Sequence, residues 1–191
     1  MNRTQLEHII RAASQISHDT EIVVVVGSQA IHALDKRLPP IAFLSQEADV
    51  YPLNHPERAD DIDGAIGELS VFHQTHGYYA QGVSPQTAIL PVGWEERVVR
   101  LSNANTGGAT GLCINVHDLV LSKYAAGREK DLAFNSALVR AGCVAKRKLV
   151  SLLGTMALDD QIKAIIRDRF TADFAEASRS RKRNDEPETT A

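Results

Sequence analysis

Two carboxylates two positions apart, Glu47 and Asp49, are the side chains best suited to metal chemistry in this chain. They fall in a segment, about 45 to 51, that reads as a strand ending at Pro52. Because strand side chains alternate, both carboxylates project from one face, roughly 7 Å apart at their bases. Paired carboxylate oxygens are typical ligands of Mg²⁺ or Mn²⁺, although an acid-x-acid pair is also common on a solvated strand face. We predict that Glu47 and Asp49 are metal ligands.

A small-residue turn, Gly27 and Ser28, directly follows the short β-branched run 21–26. A helix is expected from about 28 to 36, with Ser28 as its cap, while Gly27 lets the backbone approach a bound group. Free amides and the positive helix end would then face one spot, which suits a phosphate. A phosphate cradle beside a dicarboxylate strand supplies the two parts that metal-assisted phosphoryl transfer requires.

A cluster of charged residues lies farther along the chain, around a helix break at Gly127. Lys123 precedes the break, and Arg128, Lys130 and Asp131 follow it. Such a cluster offers donors for triphosphate oxygens and one carboxylate to orient them. A solvated charge run is the alternative interpretation.

Helix and strand patterns place these residues in a mixed fold. Thr4 to Glu7 has the form of a capping box and opens an amphipathic helix. The remaining elements are strands at about 22–26, 45–51, 87–90, 97–101 and 111–116, with a helix at about 61–69. The last two strands are spaced to form a hairpin. We predict an α/β (α+β) class: a mixed sheet flanked by helices.

The second half of the chain has a helical pattern. Helices are predicted at about 117–126, 129–141, 145–153 and 159–177, and a disordered tail at 179–191. We therefore predict one domain over 1–178, with a sheet-containing core at about 20–116 and a helical part at about 117–178.

Composition narrows the functional classes. The chain has 191 residues and a formal net charge of −3, so a polyanionic partner would have to be held by a local basic patch. The two cysteines, Cys113 and Cys143, have no zinc-site spacing and read as buried free thiols. There is no apolar segment of bilayer-spanning length and no export signal, so a cytoplasmic location without membrane partners is expected.

With these motifs placed, the chain resembles the polymerase-β-like nucleotidyltransferase superfamily, and within it the AbiEii-type branch and its uncharacterised bacterial relatives. The likeness covers roughly residues 20–142 and rests on three stretches of sequence. They are Gly27-Ser28, the strand Ser45-Gln46-Glu47-Ala48-Asp49-Val50, and the run Lys123-Tyr124-Ala125-Ala126-Gly127-Arg128-Glu129-Lys130-Asp131.

The resemblance implies a Mg²⁺- or Mn²⁺-dependent enzyme that moves an NMP from an NTP to an RNA, with tRNA among the candidates, or to a protein, as in toxin-antitoxin systems. It implies metal ligation by Glu47 and Asp49 and nucleotide contacts from Gly27, Ser28, Lys123 and Arg128. Catalytic roles then fall to Asp49, Lys123 and Asp131.

Two departures from the superfamily pattern matter. The first metal position is glutamate rather than aspartate. A third carboxylate, the base in the wider superfamily, is expected on a later strand, where the sequence offers only Glu95, Glu96 or Asp118. A non-catalytic protein that keeps the fold for binding or regulation is the alternative.

Overall fold

A computed structural model of the protein describes residues 1–24, 27–34 and 36–185. Within these residues, one sheet holds strands in the order β3-β2-β1-β5-β4. The strands are β1 (Glu21–Val24), β2 (Glu47–Pro52), β3 (Tyr79–Gly82), β4 (Val99–Leu101) and β5 (Thr110–Cys113). β1 is antiparallel to β2 and parallel to β5, β2 is parallel to β3, and β4 forms the expected antiparallel pair with β5.

Helices flank this sheet, so the predicted mixed architecture is confirmed. The described α-helices are α1 (Arg3–Ser17), α2 (Ala59–Ile66), α3 (Val71–His76), α4 (Val116–Ala126), α5 (Glu129–Arg140), α6 (Lys146–Gly154) and α7 (Asp160–Asp185). Short 3₁₀ segments lie at Ser28–Ala33, Pro40–Phe43, Pro56–Arg58, Pro85–Thr87, Trp94–Arg97 and Ala104–Thr106. None of the helices in the described ranges is long and apolar enough to cross a bilayer.

Alternation along β2 separates its apolar and acidic side chains. Ala48 and Val50 are fully buried in the main core, together with the apolar face of α1. A fully buried side chain of the size of Val50 contributes about 1.5 to 3 kcal/mol. Glu47 and Asp49 point to the opposite face and are half-buried. The core residues of β2 therefore fix the direction of both carboxylates.

Strand β3 pairs with β2 in parallel, and its register sets the neighbours of the acids. Tyr79 lies beside Glu47, and Gln81 lies beside Asp49. Gly82, at the end of β3, permits a close approach of α2, because a Cβ there would lie 1.9 Å from the Ala59 carbonyl oxygen. The connection through α2 and α3 thus delivers β3 against the acidic strand.

The structure corrects two predictions in the first third of the chain. The α1 cap is Asn2, whose side chain accepts from the Gln5 amide, so the capping box lies one half-turn before Thr4. The expected helix over 28–36 is a 3₁₀ segment at Ser28–Ala33, because Leu34 returns to extended backbone. Residues 25, 26 and 35 of these predicted elements lie outside the described residues.

Two further predictions differ from the structure. No strand forms at 87–90, where Pro85 starts a 3₁₀ turn and Pro91 removes an amide donor. The expected disordered tail from 179 is helical as far as Asp185. There, Arg181 reaches across to α5 and donates to the Arg140 carbonyl at 3.3 Å. Residues 186–191 lie outside the described residues.

Candidate functional site

One cavity of about 660 Å³ collects the residues singled out by sequence. Its lining comprises Gly27, Ser28, Ile41, Leu44, Ser45, Glu47, Asp49, Gln81, Val83, Thr87, Lys123, Arg128, Lys130, Asp131, Ala133 and Phe134. The turn after β1, the acidic strand β2 and the α4–α5 junction therefore meet around one space. Residues from distant parts of the chain therefore line the same cavity.

The carboxylate pair concentrates acidic groups at this cavity. Burial, followed by the charge of Glu47, raises the pKa of Asp49 to about 7, while Lys123 and Lys130 oppose the shift. Among the described side chains, neither acid forms an ion pair. A cation would therefore find two carboxylates that lack a basic partner.

Glu47 is held by a neighbour from β3. The Tyr79 hydroxyl donates to Glu47 Oε2 at 2.8 Å. Burial and the adjacent Glu47 hold the pKa of Tyr79 above its usual value, so the phenol stays a donor. One oxygen of Glu47 is thereby oriented, and its Oε1 has no protein donor among the described residues.

The turn at Gly27 and Ser28 does not begin the α-helix that the sequence predicts. Gly27 packs directly on Asp49, because a Cβ at this position would lie 3.0 Å from Asp49 Oδ2. Ser28 caps no α-helix; its hydroxyl lines the cavity and accepts from Gln29 Nε2 at 2.9 Å. The expected α-helix dipole is absent from this described segment, which leaves close backbone approach and one hydroxyl.

Asp131 ties the basic residues together. Lys123 Nζ lies 2.6 Å from Asp131 Oδ1, and Arg128 Nε lies 2.5 Å from Asp131 Oδ2. The side chains of Lys123 and Asp131 are 10% and 2% exposed, whereas that of Arg128 is 61% exposed. Despite burial, these two cations lower the pKa of Asp131. Both carboxylate oxygens of Asp131 are therefore engaged by basic side chains.

The α4–α5 junction explains this geometry. α4 ends at Gly127, whose φ of 67° suits glycine, and a Cβ there would lie 2.5 Å from Arg169 Nη1. Arg128 then occupies the cap position of α5, and Asp131 falls in the first turn. A carboxylate at a helix N-terminus is favoured, and here it also receives Lys123 from α4.

The third carboxylate is not found at the predicted positions. Asp118 is fully buried and paired with Arg97, Nη2 to Oδ1 at 2.7 Å, away from the cavity lining. Glu95 and Glu96 lie on the exposed 3₁₀ segment and do not line it either. No group of three or more His, Cys, Asp or Glu side chains with metal-site geometry occurs among the described residues.

Two neighbours of the carboxylate pair could not be identified from the sequence alone. Tyr79 and Gln81 stand beside Glu47 and Asp49 only because β3 pairs with β2 over a long chain separation. The alternating Tyr79-Ala80-Gln81-Gly82 pattern was a usable strand signal, but its pairing partner was not encoded locally. Gln81 places a neutral amide where a further acid would have completed a carboxylate cluster.

A mixed sheet that presents an acid-x-acid strand and a Gly-Ser turn to a cavity lined also by Lys123, Arg128 and Lys130 is the arrangement of a nucleotidyltransferase-like protein. The chain belongs to the family described as nucleotidyltransferase of unknown function (DUF6036), whose model matches residues 4–183. This match confirms the superfamily-level resemblance. Neither a curated protein nor a solved structure matches the chain significantly.

Proposed function

We propose that the protein is a Mg²⁺- or Mn²⁺-dependent nucleotidyltransferase that moves an NMP from an NTP to an acceptor hydroxyl. The main support for this proposal is that Glu47 and Asp49 line the same cavity as Ser28, Lys123 and Arg128. A related AbiEii-type role, with RNA or protein as acceptor and a place in a toxin-antitoxin pair, is part of this proposal.

The donor set fits a hard divalent cation. Glu47 and Asp49 would hold the metal, since two carboxylates on one strand face supply the oxygen ligands that Mg²⁺ prefers. Burial and the neighbouring charge of Glu47 penalise the charged form of Asp49, and a divalent cation would offset that penalty. Bound there, the metal would neutralise charge on the triphosphate. Gly27 leaves the room that Asp49 needs.

The basic residues would bind and orient the triphosphate. Arg128 and Lys130 are exposed and available to phosphate oxygens, while buried Lys123 supplies a fixed charge near Asp49. Asp131 holds Lys123 and Arg128 in place. Most of the rate acceleration in such a site comes from positioning and electrostatics.

The reaction follows from this arrangement. The acceptor oxygen forms a bond to the α-phosphorus, the bond to the bridging oxygen breaks, and pyrophosphate leaves with the electron pair. The hydroxyl proton passes to solvent, because both oxygens of Asp131 are engaged and, among the described residues, no carboxylate besides Glu47, Asp49 and Asp131 lines the cavity.

A specific observation favours the rival function, a non-catalytic nucleotide-binding or regulatory protein. Gln81, rather than an acid, stands beside Asp49 in the sheet. A neutral amide neither ligates Mg²⁺ strongly nor accepts a proton. Binding without turnover would follow.

The deciding experiment measures incorporation of each labelled NTP into total RNA and total protein, with Mg²⁺ or with a chelator. We expect metal-dependent labelling that Asp49→Asn reduces by about 100-fold or more. Asp168→Asn, an exposed change on α7, is the matched control and should leave labelling unchanged.

Calorimetry separates the two functions. Mg-NTP binding that needs Asp49, without labelling of any acceptor class, would favour the non-catalytic role. Absence of both labelling and Mg-NTP binding would overturn the nucleotidyltransferase proposal.

A further inference from the structure

A second cavity, of about 460 Å³, lies at the N-terminus of α1 and is distinctly basic. Its charged lining among the described residues consists of Arg3, Lys36 and Arg37. All three side chains are exposed, and the ion pair of Arg3 with Glu7 occupies only its Nε. Asp35, the acid in this stretch of sequence, lies outside the described residues. The lining therefore presents three cations to solvent.

The positive charge continues onto α6. Lys36 and Lys148 both lie close enough to His117 for their charges to lower its pKa. Lys148 belongs to an exposed run, Lys146 to Lys148, in the first turn of α6. We call Arg3, Lys36, Arg37 and Lys148 the basic band.

The placement of this charge is unfavourable for folding alone. The run at 146–148 sits at the positive end of α6, whose cap residue Ala145 provides no side-chain hydrogen bond. The four cations of the basic band also lie close to one another on a chain whose net charge is −3. An anionic partner that spans the band would relieve both the mutual repulsion and the dipole conflict.

The basic band adjoins the candidate active site. The 3₁₀ segment Pro40–Phe43 forms the divider, because Phe43 lines the basic cavity while Ile41 and Leu44 line the carboxylate cavity. The Phe43 side chain is 46% exposed and packs against His32, with ring centroids 5.1 Å apart. An exposed aromatic ring among cations is the pattern that stacks a base beside a tracked backbone.

We infer that the basic band binds the phosphate backbone of a nucleic acid strand and directs its end across Phe43 into the carboxylate cavity. The inference rests on the proposed function and assigns its acceptor class as RNA rather than protein. An acidic protein would need only the charges, whereas the exposed Phe43 ring between the two cavities is explained by a base.

The test measures binding of a labelled single-stranded RNA of about 20 nucleotides by fluorescence anisotropy, across a salt series. Lys36→Gln/Arg37→Gln should weaken binding at least about fivefold and reduce the salt slope by about 1.4, the value for two lost phosphate contacts. Phe43→Leu should weaken binding without changing the slope. Lys163→Gln/Arg167→Gln on α7 removes the same charge elsewhere and serves as the control.

The outcomes distinguish this inference from the proposed function. Mg-NTP binding, measured by calorimetry, should be unchanged in Lys36→Gln/Arg37→Gln, so its loss in Asp49→Asn tests the site separately. Equal weakening by the α7 control, or no RNA binding by the wild-type chain, would overturn the inference. Competition by polyglutamate as strong as by unlabelled RNA would also overturn it, in favour of an acidic protein partner.

Discussion

Gly27 and Asp49 are in direct contact across the sheet: a Cβ added to Gly27 would lie 3.0 Å from Asp49 Oδ2 and 3.4 Å from the Asp49 amide nitrogen. The turn and the acidic strand are thereby one structural unit. The Gly27 backbone packs against the Asp49 carboxylate. A residue with a side chain at position 27 would therefore crowd this carboxylate.

Gly27→Ala should therefore displace the Asp49 carboxylate by a few tenths of an ångström and lower Mg-NTP affinity by about tenfold. Gly64→Ala is the matched control, because nothing lies within 4 Å of its added Cβ on α2. That control should raise helix stability by up to about 1 kcal/mol and leave binding unchanged. Calorimetry measures the affinities, and equal affinities in both variants would contradict the close-contact argument.

Tyr79→Phe removes the hydroxyl that orients Glu47. A lost hydrogen bond to a charged acceptor costs about 1 kcal/mol or more, so the apparent affinity for Mg-NTP should fall about fivefold. Tyr78→Phe is chemically identical but removes a bond to His8, at 2.7 Å, outside the cavity. It should affect stability alone; a loss of affinity shared by both variants would refute a specific role for Tyr79.

Asp131→Asn should destabilise the protein strongly, because it leaves the buried Lys123 ammonium without its charged partner. Breaking a buried pair costs about 3 kcal/mol or more, against about 0.5 kcal/mol at most for Asp168→Asn on the surface of α7. Urea unfolding gives both values.

Asp131 should also make the free energy of unfolding depend on pH in the acidic range. The pKa of Asp131 is lower in the folded protein than in the unfolded chain. Asp131 therefore contributes to the free energy of unfolding at pH values above its unfolded pKa, and this contribution is lost as the pH falls through its folded pKa. Wild-type protein should thus lose unfolding free energy below about pH 4, and Asp131→Asn less steeply. An unchanged slope in the variant would contradict the assignment.

His117 should make stability depend on pH in a milder range. Ala145 N–H donates to Nε2 at 3.1 Å, which leaves Nδ1–H to donate to Asn115 Oδ1 at 2.9 Å. Burial, with Lys148 and Lys36, lowers the pKa of His117 from 6.5 to about 4. Between these two pKa values the unfolded chain binds a proton at His117 that the folded chain does not. The free energy of unfolding should therefore fall by roughly 2 to 3 kcal/mol as the pH is lowered through this range.

Denaturant titrations between about pH 4 and about pH 7 check this prediction. His117→Gln retains an acceptor for Ala145 and should flatten the dependence. His55→Gln changes an exposed imidazole and should retain the wild-type dependence. Identical slopes in wild type and His117→Gln would show that other groups govern this pH range.

The acidic strand and the basic cluster were readable from sequence because their signals are local. Alternation places Glu47 and Asp49 on one face wherever the strand pairs, and the observed β2 matches the predicted segment closely. The helix break predicted at Gly127 likewise coincides with the α4–α5 junction. What each of these residues would do in catalysis stays a prediction.

The neighbours of these residues were not readable, because they depend on pairing and packing between distant segments. Tyr79 reaches Glu47 through a parallel register that no local pattern specifies. The helix expected after Gly27 is a six-residue 3₁₀ segment instead. Helix α7 also continues past 179, where composition alone indicated disorder, and Arg181 there contacts the Arg140 carbonyl of α5.

The alternation of β2 has an evolutionary consequence. A slip of one residue in its pairing would turn Ala48 and Val50 outward and drive both acids into the core. Such a molecule would forfeit its folding energy and its chemistry together. Because destabilised variants are depleted in cells, we expect selection for stability to preserve the orientation of both acids as well.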